Sequence, residues 1–148
     1  MRNLSFEANC YILPANKDAE EMRKRILSAY PALLVQVANS EAVKNEALVE
    51  LIAWQTRWAE SSGSLLAKTA EMDLLLRLSG TSQIAAAIEK TGAKRGMKNV
   101  LIVVGERRRL QRLVRVGLCP WRRLHRGELT GDESRQVETA ALLNALRA

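Results

Sequence analysis

The sequence predicts a single α/β domain, spanning residues 1–148, in which a small mixed sheet is covered mainly by helices. The chain has 148 residues, of which 47% are hydrophobic and 26% are charged. A chain of this length buries about two thirds of its unfolded surface and can therefore form one substantial core. Five consecutive aliphatic residues at 100–104 are typical of a strand covered on both faces. Strand and helix patterns alternate before this run, which favours a layered α/β arrangement.

The N-terminal part of the chain predicts two strands with a helix between them. The strands are expected over residues 4–13 and 33–37. The helix opens at Asp18, which with Glu21 has the spacing of a capping box. A long helix is then expected over residues 41–60.

The long helix carries two of the three tryptophans of the chain. The pattern places Leu51 and Trp58 on its apolar side, with Trp54 off the centre of that side. We expect each tryptophan, including Trp121, to pack in the core or at its edge, since large aromatic residues usually do.

The central stretch, residues 71–104, is expected to form a helix, a tight turn, a second helix and the aliphatic strand. Gly80 can adopt the left-handed backbone that often ends a helix, and a neighbouring hydroxyl residue can cap the next one. Ile84 and Ile88 recur at helical spacing in the second helix.

Two further helices are expected after the aliphatic strand. Residues 106–116 predict an amphipathic helix. Its apolar face holds Leu110, Leu113 and Val114, and its exposed side is almost purely cationic. Asp132 can cap a last helix, which either folds back on its own domain or docks into another protein.

The central stretch also resembles a known family. The matching positions, followed by an aliphatic strand, are Glu71, Leu74, Leu75, Leu78, Ser79, Gly80, Gln83, Ile84, Ala87, Ile88 and Gly92. With this string the chain resembles the PRPK-binding protein family, the small kinase-regulating and tRNA-recruiting subunit of the KEOPS complex. The chain differs at Ser82, where the family commonly has arginine, and at Lys44 and Asn45, where it often has a His-Leu pair.

The resemblance implies a non-catalytic subunit without a cofactor that binds the small protein kinase of KEOPS. It also implies that the chain grips the 3′ CCA end of tRNA while the complex installs threonylcarbamoyl on the adenosine beside the anticodon. The last helix would contribute to kinase docking through Leu142, Leu143 and Leu146. The tRNA contacts would lie at the turn between the central helices and at a nearby basic side chain: Ser79, Gly80, Gln83 and Lys68.

The turn at residues 79–81 has two interpretations from the residues alone. The first amides of a helix point outward and can hold a phosphate or a terminal nucleotide. The alternative is a plain turn between two helices, with no ligand. The sequence leaves both open.

Positive charge is concentrated in one segment of the chain, residues 94–126. The segment has eleven basic residues and one acid, Glu106, and carries +10, whereas the rest of the chain carries −3. Such polarisation favours a surface that faces phosphate, although a solvated basic face without a partner is the alternative. The basic candidates for RNA contact, with two that flank the first central helix, are Lys94, Arg95, Arg108, Arg112, Arg115, Lys68 and Arg77.

Enzyme signatures are mostly absent from the sequence. His125 is the only histidine, and neither a Gly-x-Ser-x-Gly elbow nor a Gly-rich phosphate loop occurs. Cys10 and Cys119 are far apart and form no CxxC pair, so we expect no metal, cofactor or disulfide. We expect a cytoplasmic protein with neither a membrane partner nor a small-molecule substrate of its own, because no signal-like segment and no apolar run of about 20 residues occurs.

Two other functions remain open at this point. One is a general basic RNA-binding protein that uses the arginine-rich region and has no kinase partner. The other is a small hydrolase or transferase centred on His125.

Overall fold

The computed structural model describes the backbone of residues 6–147 and the side chains of residues 6–145. Within these residues, the strands and helices are β1 Phe6–Leu13, α1 Ala19–Ala29, β2 Leu34–Asn39, α2 Glu46–Ser62, α3 Ala70–Ser79, α4 Ile84–Thr91, β3 Asn99–Glu106, α5 Arg107–Arg115 and α6 Gly131–Arg147. A small sheet is covered mainly by helices, so the predicted α/β class is confirmed.

The sheet has the strand order β1-β3-β2 and is antiparallel at both pairings. Cys10 lies opposite Ile102 on one side of β3, and Val37 lies opposite Leu101 on the other. A mixed sheet was expected. The two N-terminal strands do run the same way, but β3 returns between them in the opposite direction, so they do not pair with each other.

The central strand β3 is buried on both faces, as the aliphatic run predicts. Val100, Ile102 and Val104 belong to the core that the sheet shares with α2 and α3. Leu101 and Val103 belong to the core on the opposite face, which α1 and α5 cover. The sheet therefore separates two helical layers.

Helix α6 forms an additional layer over α2 and α3. A third apolar cluster lies where α3, α4 and α6 meet, and it includes Leu75, Leu76, Ala87 and Leu143. No helix among residues 6–147 is both long and apolar enough to cross a bilayer.

The outer edge of β1 is closed by side chains of α2. Glu50 Oε2 accepts the Ala8 amide at 2.9 Å, and Glu46 Oε2 accepts the Cys10 amide at 2.8 Å. Arg123 donates to both oxygens of the buried Glu46, at 2.8 and 2.7 Å, and this hydrogen bonding raises the pKa of Arg123. Burial, reinforced by Glu46, raises the pKa of the Cys10 thiol. These contacts satisfy strand amides that would otherwise lie open at an edge.

The predicted start is confirmed for α1 but not for α2. The Glu21 amide donates to Asp18 Oδ1 at 3.1 Å, as the capping-box spacing predicts. Helix α2 begins at Glu46 rather than at residue 41, because the Asn45 side chain accepts the Ala47 amide at 3.0 Å and caps the helix there.

The buried face of α2 also differs from the predicted one. The helix turns its smaller residues inward, including Val49, Ala53 and Thr56, because it lies close to β1 and α3. The larger side chains Trp54 and Trp58 are exposed instead. The expectation that each tryptophan packs in the core or at its edge is therefore wrong for Trp58, which is 62% exposed.

Candidate functional site

The turn after α3 is a helix C-terminus whose amides are occupied. Gly80 has a φ of 76° and caps α3 in the left-handed region. The Gly80 and Thr81 amides both donate to the Leu76 carbonyl, at 2.9 and 3.3 Å, and the buried Ser79 hydroxyl donates to the same oxygen at 2.8 Å. The interpretation of these amides as an open phosphate site is wrong, since they end one helix rather than begin the next.

We expect Gly80→Ala to reduce the free energy of unfolding by about 1 to 2 kcal/mol, because an L-residue is strained in this conformation. An added Cβ would meet Thr139 Cγ2 at 3.7 Å, an ordinary contact, so the backbone alone accounts for the cost. Urea denaturation measures the effect. Gly131→Ala is the control, because its Cβ meets open space and its φ is not positive. Equal stability of Gly80→Ala and the parent would contradict the cap.

Arg77 is structural, although the sequence marks it as a candidate for RNA contact. Its side chain is 1% exposed. The guanidinium donates to Asp73 Oδ1 and Oδ2 at 2.7 and 3.1 Å, to the Ala140 carbonyl at 3.1 Å and to Asn144 Oδ1 at 2.7 Å. It cannot reach a phosphate without unfolding this network, so the candidate contact at Arg77 is contradicted.

A groove opens between the start of α3 and the start of α4. It encloses about 480 Å³ and is lined by Leu66, Ala67, Lys68, Thr69, Met72 and Ile84. Lys68 is exposed, and Ile84 is 48% exposed. Gln83 precedes α4, and its exposed side chain forms no cap hydrogen bond. The structure thus brings Lys68 and Gln83, two of the expected tRNA contacts, to one side of the domain.

The apolar walls of this groove were not identified from the sequence. Ile84 and Ile88 have the spacing of a core stripe, yet they are 48% and 50% exposed. The buried residues of α4 are Ala87 and Thr91, and Ala87 belongs to the same apolar cluster as Leu76. A short helix whose central residues are alanines can pack through those small side chains. This composition was the signal in the sequence from which the exposure of the isoleucines could have been predicted.

The remaining basic candidates lie elsewhere on the domain. Lys94 is half-buried and its amine donates to the Glu89 carbonyl at 2.8 Å, whereas Arg95 is exposed in the loop before β3. Three further candidates are exposed on α5, across the sheet from the groove: Arg108, Arg112 and Arg115. The predicted RNA residues therefore do not form one continuous surface.

The last helix offers one of its three expected docking residues. Leu142 is 58% exposed. Leu143 is 4% exposed and packs with Leu75 and Leu76, so at this position the helix folds back on its own domain, which is the other alternative that the sequence left open. The side chain of Leu146 lies outside the described residues. Leu143 faces inward because α6 lies over α3.

Next to α6, helix α2 exposes an aromatic face. A hollow of about 280 Å³ lies between the two helices and is lined by Trp54, Gln55, Trp58, Arg77, Ala141 and Asn144. Gln55 Oε1 is buried there without a hydrogen-bond donor among the described residues. We call the exposed residues Leu51, Trp54, Trp58 and Leu142 the α2–α6 surface.

A comparison with models of protein families identifies the family of the chain. The model of the family described as "Kinase binding protein CGI-121" matches residues 15–116, more than half of the chain. The chain belongs to the CGI-121 family. A comparison with curated proteins found no match.

Membership of the CGI-121 family confirms the resemblance recognised in the central stretch and supports a kinase-binding role. The matched segment includes the groove between α3 and α4, most of the α2–α6 surface and all of α5. Helix α6 follows the matched segment, so its contribution to docking has to be argued from its own contacts.

Proposed function

We propose that this CGI-121 family protein is the non-catalytic subunit of a KEOPS complex that binds and activates the small kinase and recruits tRNA by its 3′ CCA end. Binding of a kinase follows from the family. The identity of the complex, the activation and the tRNA end are our proposal. The groove between α3 and α4 carries the tRNA part, because it combines apolar walls with an exposed lysine.

The chemistry of the groove suits an unpaired nucleotide. Single-stranded ends are recognised where bases lie on apolar or planar side chains and hydrogen-bond through their edges. Met72 and Ile84 offer an apolar wall, Lys68 offers a cation for phosphate, and the exposed Gln83 amide can bond a base edge. The volume of about 480 Å³ lies in the range of small-ligand pockets.

Binding to full-length tRNA and to tRNA lacking its CCA end tests this proposal. We expect at least about a tenfold preference for the full-length molecule, the equivalent of one or two lost contacts at about 1.4 kcal/mol per decade. Ile84→Asp should remove that preference, because it places a carboxylate in the groove. Ile88→Asp is the matched control, since Ile88 is equally exposed on the same helix but does not line the groove. Equal affinity of the parent for both tRNAs would contradict the proposal.

We place kinase docking on the α2–α6 surface. Tryptophans are enriched among the residues that dominate binding energy at interfaces, and clustered exposed apolar residues mark interaction sites. Trp58 and Leu142 are 62% and 58% exposed on neighbouring helices.

The alternative of a general RNA-binding protein without a kinase partner is less well supported. The kinase-binding description of the family weighs against it. Co-purification with a small kinase from the same cell distinguishes the two functions. Recovery of RNA alone would favour the alternative.

A further inference from the structure

The outward side of α5 is a strip of positive charge. Arg108, Arg112 and Arg115 are all exposed. At 3.6 residues per turn these three positions lie within about 60° of each other around the helix axis. Leu110 and Leu113, which point the opposite way, are buried against the sheet. We call the three residues the arginine strip.

The arginine strip is not neutralised by the protein. The two neighbouring arginines are at least partly neutralised by carboxylates. Arg107 Nε lies 3.1 Å from Glu7 Oε2, and Arg109 Nε lies 4.0 Å from Glu106 Oε1. Within residues 6–145, no carboxylate forms an ion pair with the strip, and α5 itself contains no acid. Like charges one helical turn apart repel each other, so a polyanion that binds all three gains the relief of that repulsion as well.

The dimensions of the strip suit a line of phosphates. The three residues span about 10 Å along the axis, at a rise of about 1.5 Å per residue. The phosphates of an RNA duplex follow each strand at a close and regular spacing, so the strip can contact up to three of them, one for each arginine. Arginine is well matched to phosphate, because its guanidinium donates two parallel hydrogen bonds.

The strip lacks the features of surfaces that bind single-stranded nucleic acid or an anionic membrane. Helix α5 contains no aromatic residue on which an unpaired base can stack. Its leucines are buried in the domain, and the apolar side chains exposed there are two small ones, Val114 and the following Val116, whereas a helix that lies in a bilayer interface presents a whole apolar face. Cations without stacking groups and with little exposed apolar surface beside them fit the backbone of a duplex, whose bases are already paired.

The position of the strip separates it from the groove. Helix α5 packs on the sheet face shared with α1, whereas α3, which forms part of the groove, packs on the other face. An RNA end in the groove therefore does not lie beside the strip. Any contact at the strip involves a different part of the RNA and does not depend on the 3′ end.

We propose that the arginine strip binds the phosphate backbone of double-stranded RNA, as a second site on this protein. This goes beyond the proposed function, since neither the 3′ CCA end nor the groove takes part. Binding there is insensitive to sequence and falls as salt rises, because it rests on release of counterions.

A blunt RNA duplex without single-stranded ends tests the proposal by anisotropy over 50 to about 200 mM salt. The test variant carries Arg108→Gln, Arg112→Gln and Arg115→Gln. The slope of log K against log salt should become less negative by about 2 to 3, given about 0.7 to 0.9 per phosphate contact. The parent should therefore lose roughly 16- to 64-fold more affinity than the variant over this fourfold range of salt.

The matched control removes three positive charges elsewhere, with Lys17→Gln, Lys44→Gln and Lys98→Gln, all of them exposed. Its slope should change by less than about 1. An unchanged slope in the α5 variant, or an equal change in the control, would overturn the proposal. So would binding of the parent to anionic lipid vesicles that the α5 variant loses while its duplex binding stays intact. Circular dichroism and thermal unfolding check that the variants fold. We expect them to fold, because the substituted residues are on the surface and the changes create no cavity.

The groove variant distinguishes this inference from the proposed function. Ile84→Asp should leave duplex binding unchanged, because Ile84 lies across the sheet. If the parent shows no preference for the CCA end but the α5 variant loses duplex binding, the proposed function fails and the inference stands. If the parent prefers full-length tRNA but the α5 variant keeps its duplex binding, the proposed function stands and the inference fails.

Discussion

Replacing Asp73 with alanine should reduce the free energy of unfolding by about 3 to 5 kcal/mol, the usual cost of removing one partner of a buried ion pair. Asp73 and Arg77 are both buried, and the substitution leaves the guanidinium without its counter-charge. The Thr56 hydroxyl, which donates to Asp73 at 2.6 Å, and the Leu66 amide, which donates at 2.9 Å, also lose their acceptor.

Urea denaturation of Asp73→Ala, monitored by tryptophan fluorescence, measures this loss of stability. Asp132→Ala is the control, since its ion pair with Arg135 is exposed and such pairs contribute little. Adding Arg77→Met to Asp73→Ala should recover part of the stability, because it removes the stranded charge. This double variant also keeps the test decisive if the single variant does not fold. A loss no larger than that of the control would show that the pair is not a main support of α3.

Replacing Trp58 with alanine should weaken kinase binding by at least about 2 kcal/mol, or roughly 30-fold. Trp58 is 62% exposed, so its removal leaves no cavity in the domain and should hardly affect folding. This loss of affinity is expected only if the kinase covers the α2–α6 surface. Leu142→Ala should weaken binding in the same direction but less, because the side chain is smaller.

Titration calorimetry with the small kinase measures this effect. Ile88→Ala is the control, since Ile88 is similarly exposed on α4, away from the α2–α6 surface. Unfolding curves for each variant separate loss of binding from loss of fold. Parent-like affinity of both Trp58→Ala and Leu142→Ala would place the kinase on another surface.

The features that sequence predicts well here are those decided by neighbours in the chain. Five consecutive aliphatic residues are enough to indicate the buried strand β3, and the spacing of Asp18 and Glu21 is enough to indicate the start of α1. The inward face of α2 is different, because it depends on how closely β1 and α3 approach. The helical pattern assigned Trp58 to the core or its edge, whereas the packing of α2 placed it outside.

The candidate site shows the same limit. Nothing in the local sequence distinguishes Arg77, which is enclosed by α6, from an arginine on the surface, because its partner Asn144 is 67 residues away. Leu143 is buried for the same reason, since α6 lies over α3. Ile84 is exposed because α4 packs through Ala87. The first two errors come from contacts between helices that are distant in the chain, and the third comes from the packing of two consecutive helices.

We propose that this protein is a scaffold that holds a kinase and a tRNA on separate surfaces at the same time. Light scattering of a mixture of the purified chain, the small kinase and full-length tRNA tests it most directly. We expect one species that contains all three, because the α2–α6 surface and the groove have no lining residue in common. Displacement of the tRNA by the kinase, with only two-component complexes in solution, would contradict the account.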